Sequence, residues 1–195
     1  MKAIVPGDLI GFSAGDLLGA AVNASTLGWP FPPKCWRGLS HVGVVAMDAA
    51  GLPVIWEATT LCDLPCLFCG AIHSGLQSHG VQVRIKNYRG AVWHYPLRLG
   101  LDGIEQQQVT LYARRYHARG YDYLGAAQSR TLCLGWLRRL FVRQNLDHLF
   151  CSEFVAAVWE AAEVWNTPNC SSWSPNRLAR IAINVGIVKK PRRLK

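Results

Sequence analysis

Residues 40–58 read Ser40-His41-Val42-Gly43-Val44-Val45-Ala46-Met47-Asp48-Ala49-Ala50-Gly51-Leu52-Pro53-Val54-Ile55-Trp56-Glu57-Ala58. Two runs rich in β-branched and aromatic residues flank a short break containing Asp48 and Gly51, which predicts a β-hairpin. With residues 48–50 as the loop, Met47 faces Gly51 and paired positions add to 98, so His41 faces Glu57. Directly opposed Cβ atoms lie about 4.5–5.5 Å apart, close enough for an imidazole–carboxylate hydrogen bond. A one-residue slip would send the two side chains to opposite faces. The plainer alternative is a surface His–Glu pair of little energetic value.

Outward from this hairpin, the N-terminal side holds a Pro6-Gly7-Asp8 turn, a short strand Leu9-Ile10-Gly11-Phe12, and a long loop over 13–38. On the C-terminal side lies a Cys-rich insert at 59–80. Alternation over 81–85 predicts a half-buried strand, and 90–95 predicts another. The second half turns helical, with amphipathic periods at 104–119, 132–143 and 150–165. Ser174 and Pro175 open a short helix as N-cap and first-turn residue. A last strand is expected at 181–188. Strands followed by helices point to an α+β fold.

Length and composition bound the rest. The 195 residues suit one domain that needs no metal or disulfide to fold. Seven Cys is an odd number and under 4% of the chain, which argues against a disulfide scaffold. The net charge of +9 divides unevenly. Residues 189–195 hold five basic residues and no acid, leaving 16 basic against 12 acidic residues, a body of +4. A terminal run of this kind reads as solvated and mobile, so specific nucleic-acid binding is not expected. No apolar leader follows Met1. The uncharged stretch 64–83 is broken by Pro65, Gly70, Gly75 and Gly80, so no transmembrane segment is expected. The expected setting is cytoplasmic, with reduced thiols.

Cys151 is the candidate nucleophile. It opens an amphipathic period and lies three and seven residues before Phe154 and Val158, on the core side of a helix. A helix N-terminus and a nearby imidazolium both lower a thiol's pKa. Cys151, His41 and Glu57 would then form a thiolate–imidazolium pair oriented by a carboxylate. Taken alone, one such Cys is more often a small buried hydrophobe.

Several short motifs occur together in a set order: Pro6-Gly7-Asp8-Leu9-Ile10, Ser40-His41-Val42-Gly43, Trp56-Glu57-Ala58, Tyr121-Asp122-Tyr123, Phe150-Cys151-Ser152-Glu153-Phe154 and Ser174-Pro175. In this order they resemble the permuted papain-like cysteine hydrolases of the NlpC-type superfamily, in the YiiX-like branch related to lecithin retinol acyltransferase. The resemblance spans about residues 5–180. It implies a small antiparallel, barrel-like sheet bearing His, packed against a helix bearing Cys, in one domain over 1–188. It implies Cys151 as nucleophile, His41 as general base and then acid, and Glu57 as the group that orients His41. Tyr121, Ser40 and Ser152 are the positions expected to border the substrate. The implied reaction is hydrolysis of an amide in a peptide or peptidoglycan fragment, without a cofactor. The alternatives are acyl transfer or thioester hydrolysis on a lipid acyl group, and a non-catalytic binding module with the same fold.

The insert departs from that pattern. Cys62-x3-Cys66-x2-Cys69 followed by His73 has the makings of a Cys3His zinc site. The reading taken is three ordinary loop thiols with no metal; zinc on Cys62, Cys66, Cys69 and His73 is the alternative.

Overall fold

A computed structural model describes residues 3–13, 38–60, 62–117, 120–121, 148–166, 170 and 173–195. The expected helix at 132–143 and the long loop over most of 13–38 lie outside these residues. The strands are β1 (Leu9–Ser13), β2 (His41–Met47), β3 (Pro53–Thr59), β4 (Gly75–Gly80), β5 (Ala91–Tyr95), β6 (Gly120–Tyr121), β7 (His148–Leu149) and β8 (Arg192–Arg193). The helices are α1 (Val81–Asn87), α2 (Gly103–Arg115), α3 (Cys151–Ala161) and α4 (Pro175–Asn184). The fold is α+β. Six strands form an open antiparallel sheet in the order β4-β3-β2-β1-β5-β8, and β6 and β7 form a separate parallel pair.

The sheet alternates as its pleat requires. Leu9, Val42, Val44, Val54, Trp56 and Leu76 join the main core with Phe154, Val158 and Leu178 of the helical layer. Ile10, Phe12, Val45, Ile55 and Val92 point the other way, where Val81 and Ile85 of α1 cover them. α3 is anchored to the chain's first turn, since the Trp159 indole N–H donates to the Gly7 carbonyl at 3.0 Å. Gly7 sits at φ +85°, and a Cβ there would lie 2.6 Å from Leu97, so no other residue fits the turn comfortably.

Helix ends follow their local chemistry. α2 starts with a capping box: the Glu105 N–H donates to Asp102 and the Asp102 N–H to Glu105, both at 2.8 Å. Ser174 caps α4 and Pro175 opens it, as expected. α4 runs through Asn184, which corrects the strand expected at 181–188. Gly186, at φ +81°, ends the helix in a Schellman motif, with Ile187 N–H to Ala182 carbonyl at 2.8 Å and Gly186 N–H to Ile183 carbonyl at 3.2 Å.

Two further expectations are corrected. Residues 81–87 form a helix in place of the strand expected at 81–85. Val81, Arg84, Ile85 and Tyr88 follow a helical spacing, and Val83, half of the apparent alternation, is exposed. The basic tail is not a free solvated run. Arg192 and Arg193 pair with His94 and Trp93 of β5. The cause is a buried polar chain: Arg192 Nε donates to His94 Nδ1 at 2.9 Å, and His94 Nε2 donates to Asp8 at 2.6 Å. No helix among the described residues is long and apolar enough to cross a membrane.

Candidate active site

The hairpin that opened the argument is present with a different register. Val44 faces Trp56 and Met47 faces Pro53, so paired positions add to 100. Asp48 moves the loop along by one position: its carboxylate accepts from Ala50 N–H and Leu52 N–H at 2.8 Å each, and its own N–H bonds the Leu52 carbonyl at 2.9 Å. The shift is even, so the face is kept. His41 and Glu57 become diagonal neighbours, about 7–8 Å apart along the backbone and within reach of long side chains. His41 Nε2 meets Glu57 Oε2 at 2.7 Å.

Gly43 makes the diagonal approach feasible. A Cβ at Gly43 would lie 2.9 Å from the Trp56 carbonyl and 3.2 Å from Glu57 Cβ. Glycine inside a strand often marks such a close approach. Gly43→Ala should destabilise the fold by about 1–3 kcal/mol through overpacking, measured by urea unfolding.

Glu57 is fully buried and heavily coordinated. Arg84 of α1 grips it with two nitrogens, Nε to Oε1 at 2.5 Å and Nη2 to Oε2 at 3.0 Å. His79 of β4 adds a contact from Nδ1 to Oε1 at 3.1 Å. Burial alone would raise the carboxyl's pKa; the Arg84 charge and the bonds from His41 and His79 overcome it and hold the pKa well below the usual carboxylate value. The guanidinium also lies 5.0 Å above the Phe12 ring and 5.3 Å above Tyr88.

Cys151 is the first residue of α3, and the preceding Phe150 offers no capping oxygen. Burial works against its thiolate, but the His41 charge and hydrogen bond, with N–H groups of Val42 and Ser152, lower the thiol's pKa. Burial likewise works against the His41 imidazolium. The Cys151 charge and hydrogen bond, then Glu57, push its pKa up to about 9. With Nε2 committed to Glu57, Nδ1 is the nitrogen left for the sulfur. Each group thus favours the charged form of the other.

The structure brings Cys151, His41 and Glu57 into one chain of interactions. Ser40 lies beside His41, half-buried, and its hydroxyl donates to the Phe12 carbonyl at 3.2 Å. Ser152 is fully buried and its hydroxyl donates to the Trp173 carbonyl at 2.5 Å, so it braces α3 against the segment entering α4. The Tyr121 side chain lies outside the described residues. Sequence reasoning missed Arg84 and His79. Arg84 was hidden by the strand expected at 81–85, although its position in a helical period was the available signal.

Of the insert thiols, Cys62 belongs with this network: its sulfur lies 3.6 Å from His79 Nε2, and burial is outweighed by that contact in lowering its pKa. Glu57, Cys62 and His79 bring ligand atoms within 4.8 Å of one another, yet they suit a metal poorly. The Glu57 carboxylate is already bound to the Arg84 cation, which a metal ion would have to displace. The four-ligand set named from spacing as the alternative to ordinary loop thiols, Cys62, Cys66, Cys69 and His73, is not the one brought together. Cys66, Cys69 and His73 gather with His117 instead.

No family model matches the chain, and no curated protein matches it. Among solved structures it is similar to metalloprotein yiiX from Escherichia coli O157:H7, with a TM-score of 0.54 and 18% sequence identity, over 84% of this chain and 68% of that one. The two chains share a fold.

Proposed function

We propose that this chain is a cysteine hydrolase of the permuted papain-like, NlpC-type class that cleaves an amide in a peptide or peptidoglycan fragment. The observation that carries the reading is the continuous link from the helix-terminal Cys151 through His41 to the buried, Arg84-bound Glu57. The Cys151 thiolate adds to the carbonyl carbon, and the carbonyl π electrons move onto oxygen. The Cys151 N–H at the start of α3 is placed to stabilise that oxyanion. Collapse of the intermediate breaks the C–N bond, and the His41 imidazolium delivers its proton to the leaving amine. Water, losing a proton to His41, then cleaves the thioester and releases the acid. Glu57 holds His41 in one orientation throughout, and Arg84 keeps that carboxylate ionised.

The test is turnover of peptide amides and muropeptide fragments beside acyl thioesters and phospholipids. We expect amide cleavage through a covalent acyl-enzyme on Cys151, with turnover falling about a million-fold in Cys151→Ala. Faster turnover of the lipid acyl substrates would overturn the amide assignment. Failure to form any adduct or product would leave a binding module and overturn the enzyme reading.

A further inference from the structure

The insert between β3 and β4 carries a second constellation that the hydrolase chemistry does not use. Cys66, Cys69 and His73 come from the insert, and His117 comes from just beyond α2. Their ligand atoms all lie within 4.8 Å of one another. Cys66 Sγ is 3.7 Å from His117 Nε2. Free thiols and imidazoles have no strong reason of their own to converge from two separate segments.

The surroundings are arranged for ligation. His73 Nδ1 lies 3.0 Å from the Ser74 carbonyl, which only accepts, so Nδ1 carries the proton and Nε2 the lone pair. That Nε2 is buried and has no hydrogen-bond partner among the described residues. A metal-binding imidazole commonly has this pattern, with the outer nitrogen donating to a carbonyl and the inner one aimed at the ion. The Gln77 side-chain amide donates to the His73 carbonyl and holds that residue in place. The Cys66 sulfur accepts the Ser78 N–H at 3.3 Å. Gly70, at φ +73°, closes the Cys66-x2-Cys69 turn, with its N–H on the Cys66 carbonyl at 2.8 Å.

We propose that Cys66, Cys69, His73 and His117 bind one zinc ion in a closed S2N2 site. Two thiolates and two imidazoles select zinc over the hard cations magnesium and calcium, which take oxygen ligands. Two thiolate charges neutralise the dication, which suits a half-buried position. Four protein ligands leave no place for substrate or reactive water, so the ion is structural. It fastens the insert to the end of α2. Phe68, whose ring lies 4.4 Å from His117 and 5.8 Å from Trp56, is held against β3 in the process.

The full chain, purified without chelators, should carry one zinc per molecule by elemental analysis. Cobalt exchanged into the site should give the intense visible bands of a tetrahedral ion and a thiolate-to-cobalt charge-transfer band. Cys69→Ser and His117→Ala should each weaken zinc binding at least as much as losing an outer-shell partner does, about 10–100-fold, measured against a chromophoric chelator. Cys62→Ser and Cys151→Ala should keep full stoichiometry. Wild-type protein that binds no zinc, or a cobalt spectrum of six-coordinate type without charge transfer, would overturn the site, and neither measurement depends on a variant folding. Loss of zinc in Cys62→Ser with retention in His117→Ala would also overturn it.

Discussion

Alkylation of Cys151 by iodoacetamide at pH 7 should slow about 30-fold when His41 is replaced by alanine. An ordinary thiol, with a pKa of about 8.5, is only about 3% ionised at that pH. In the native chain, His41 and two backbone N–H groups lower the thiol's pKa against the opposing effect of burial. The proposed mechanism requires thiolate as the prevailing form at neutrality, and removing the imidazolium returns the sulfur toward ordinary behaviour. The pH profile should carry the same signature. Wild-type labelling should persist below pH 8, where ordinary thiols lose reactivity. It should change again near pH 9, where the His41 imidazolium gives up its proton. The site-specific rate can be read by mass spectrometry of the labelled peptide, with free glutathione in the same reaction as the ordinary-thiol reference. Equal rates in wild type and His41→Ala would remove the electrostatic basis of the proposed mechanism.

Arg84→Met should destabilise the chain by up to about 3–5 kcal/mol, because it removes the main counter-charge of the buried Glu57 carboxylate and leaves only His41 and His79 beside it. Adding Glu57→Gln should recover part of that loss, since the double variant no longer buries an under-compensated carboxylate. The pH dependence has a definite sign. The folded pKa of Glu57 is depressed, so its stabilising contribution is fully present above the ordinary value of 4.5 and is lost as pH falls through the folded value. The gap between wild type and Arg84→Met should therefore be widest near neutrality and narrow in acid. Urea unfolding at a series of pH values measures it. A variant as stable as wild type at pH 7 would mean that Glu57 is not ionised there.

Much of this site was legible because its parts obey short-range rules. The hairpin, the pairing of His41 with Glu57, and the placement of Cys151 at a helix start all follow from residue type and period. The register was wrong by two because Asp48 closes the loop through its own carboxylate, a local hydrogen-bonding choice that strand propensity does not reveal. The pairing survived because an even shift keeps both residues on one face. Arg84 and His79 were not legible, since they act on Glu57 from across a sheet edge and from a helix that resembled a strand. His117 was unreadable for a related reason: it follows His73 by 44 positions, and only the path of α2 brings it back. The tail misled because its charges suggested solvent, while the acceptor that orders it, His94 backed by Asp8, is buried in the sheet.

The placement of Cys151 has a consequence for the life of the chain before it is folded. His41 and Cys151 are 110 positions apart, and the Val42 N–H that reaches the sulfur comes from the same distant strand. None of these groups is near the thiol in an unfolded or half-assembled chain, where Cys151 has the modest reactivity of any cysteine. Closing so long a loop is a late event in folding. Native docking of α3 on β2 therefore switches the thiol on. A newly made chain passes its most vulnerable period with this sulfur protonated and largely unreactive toward oxidants and stray electrophiles.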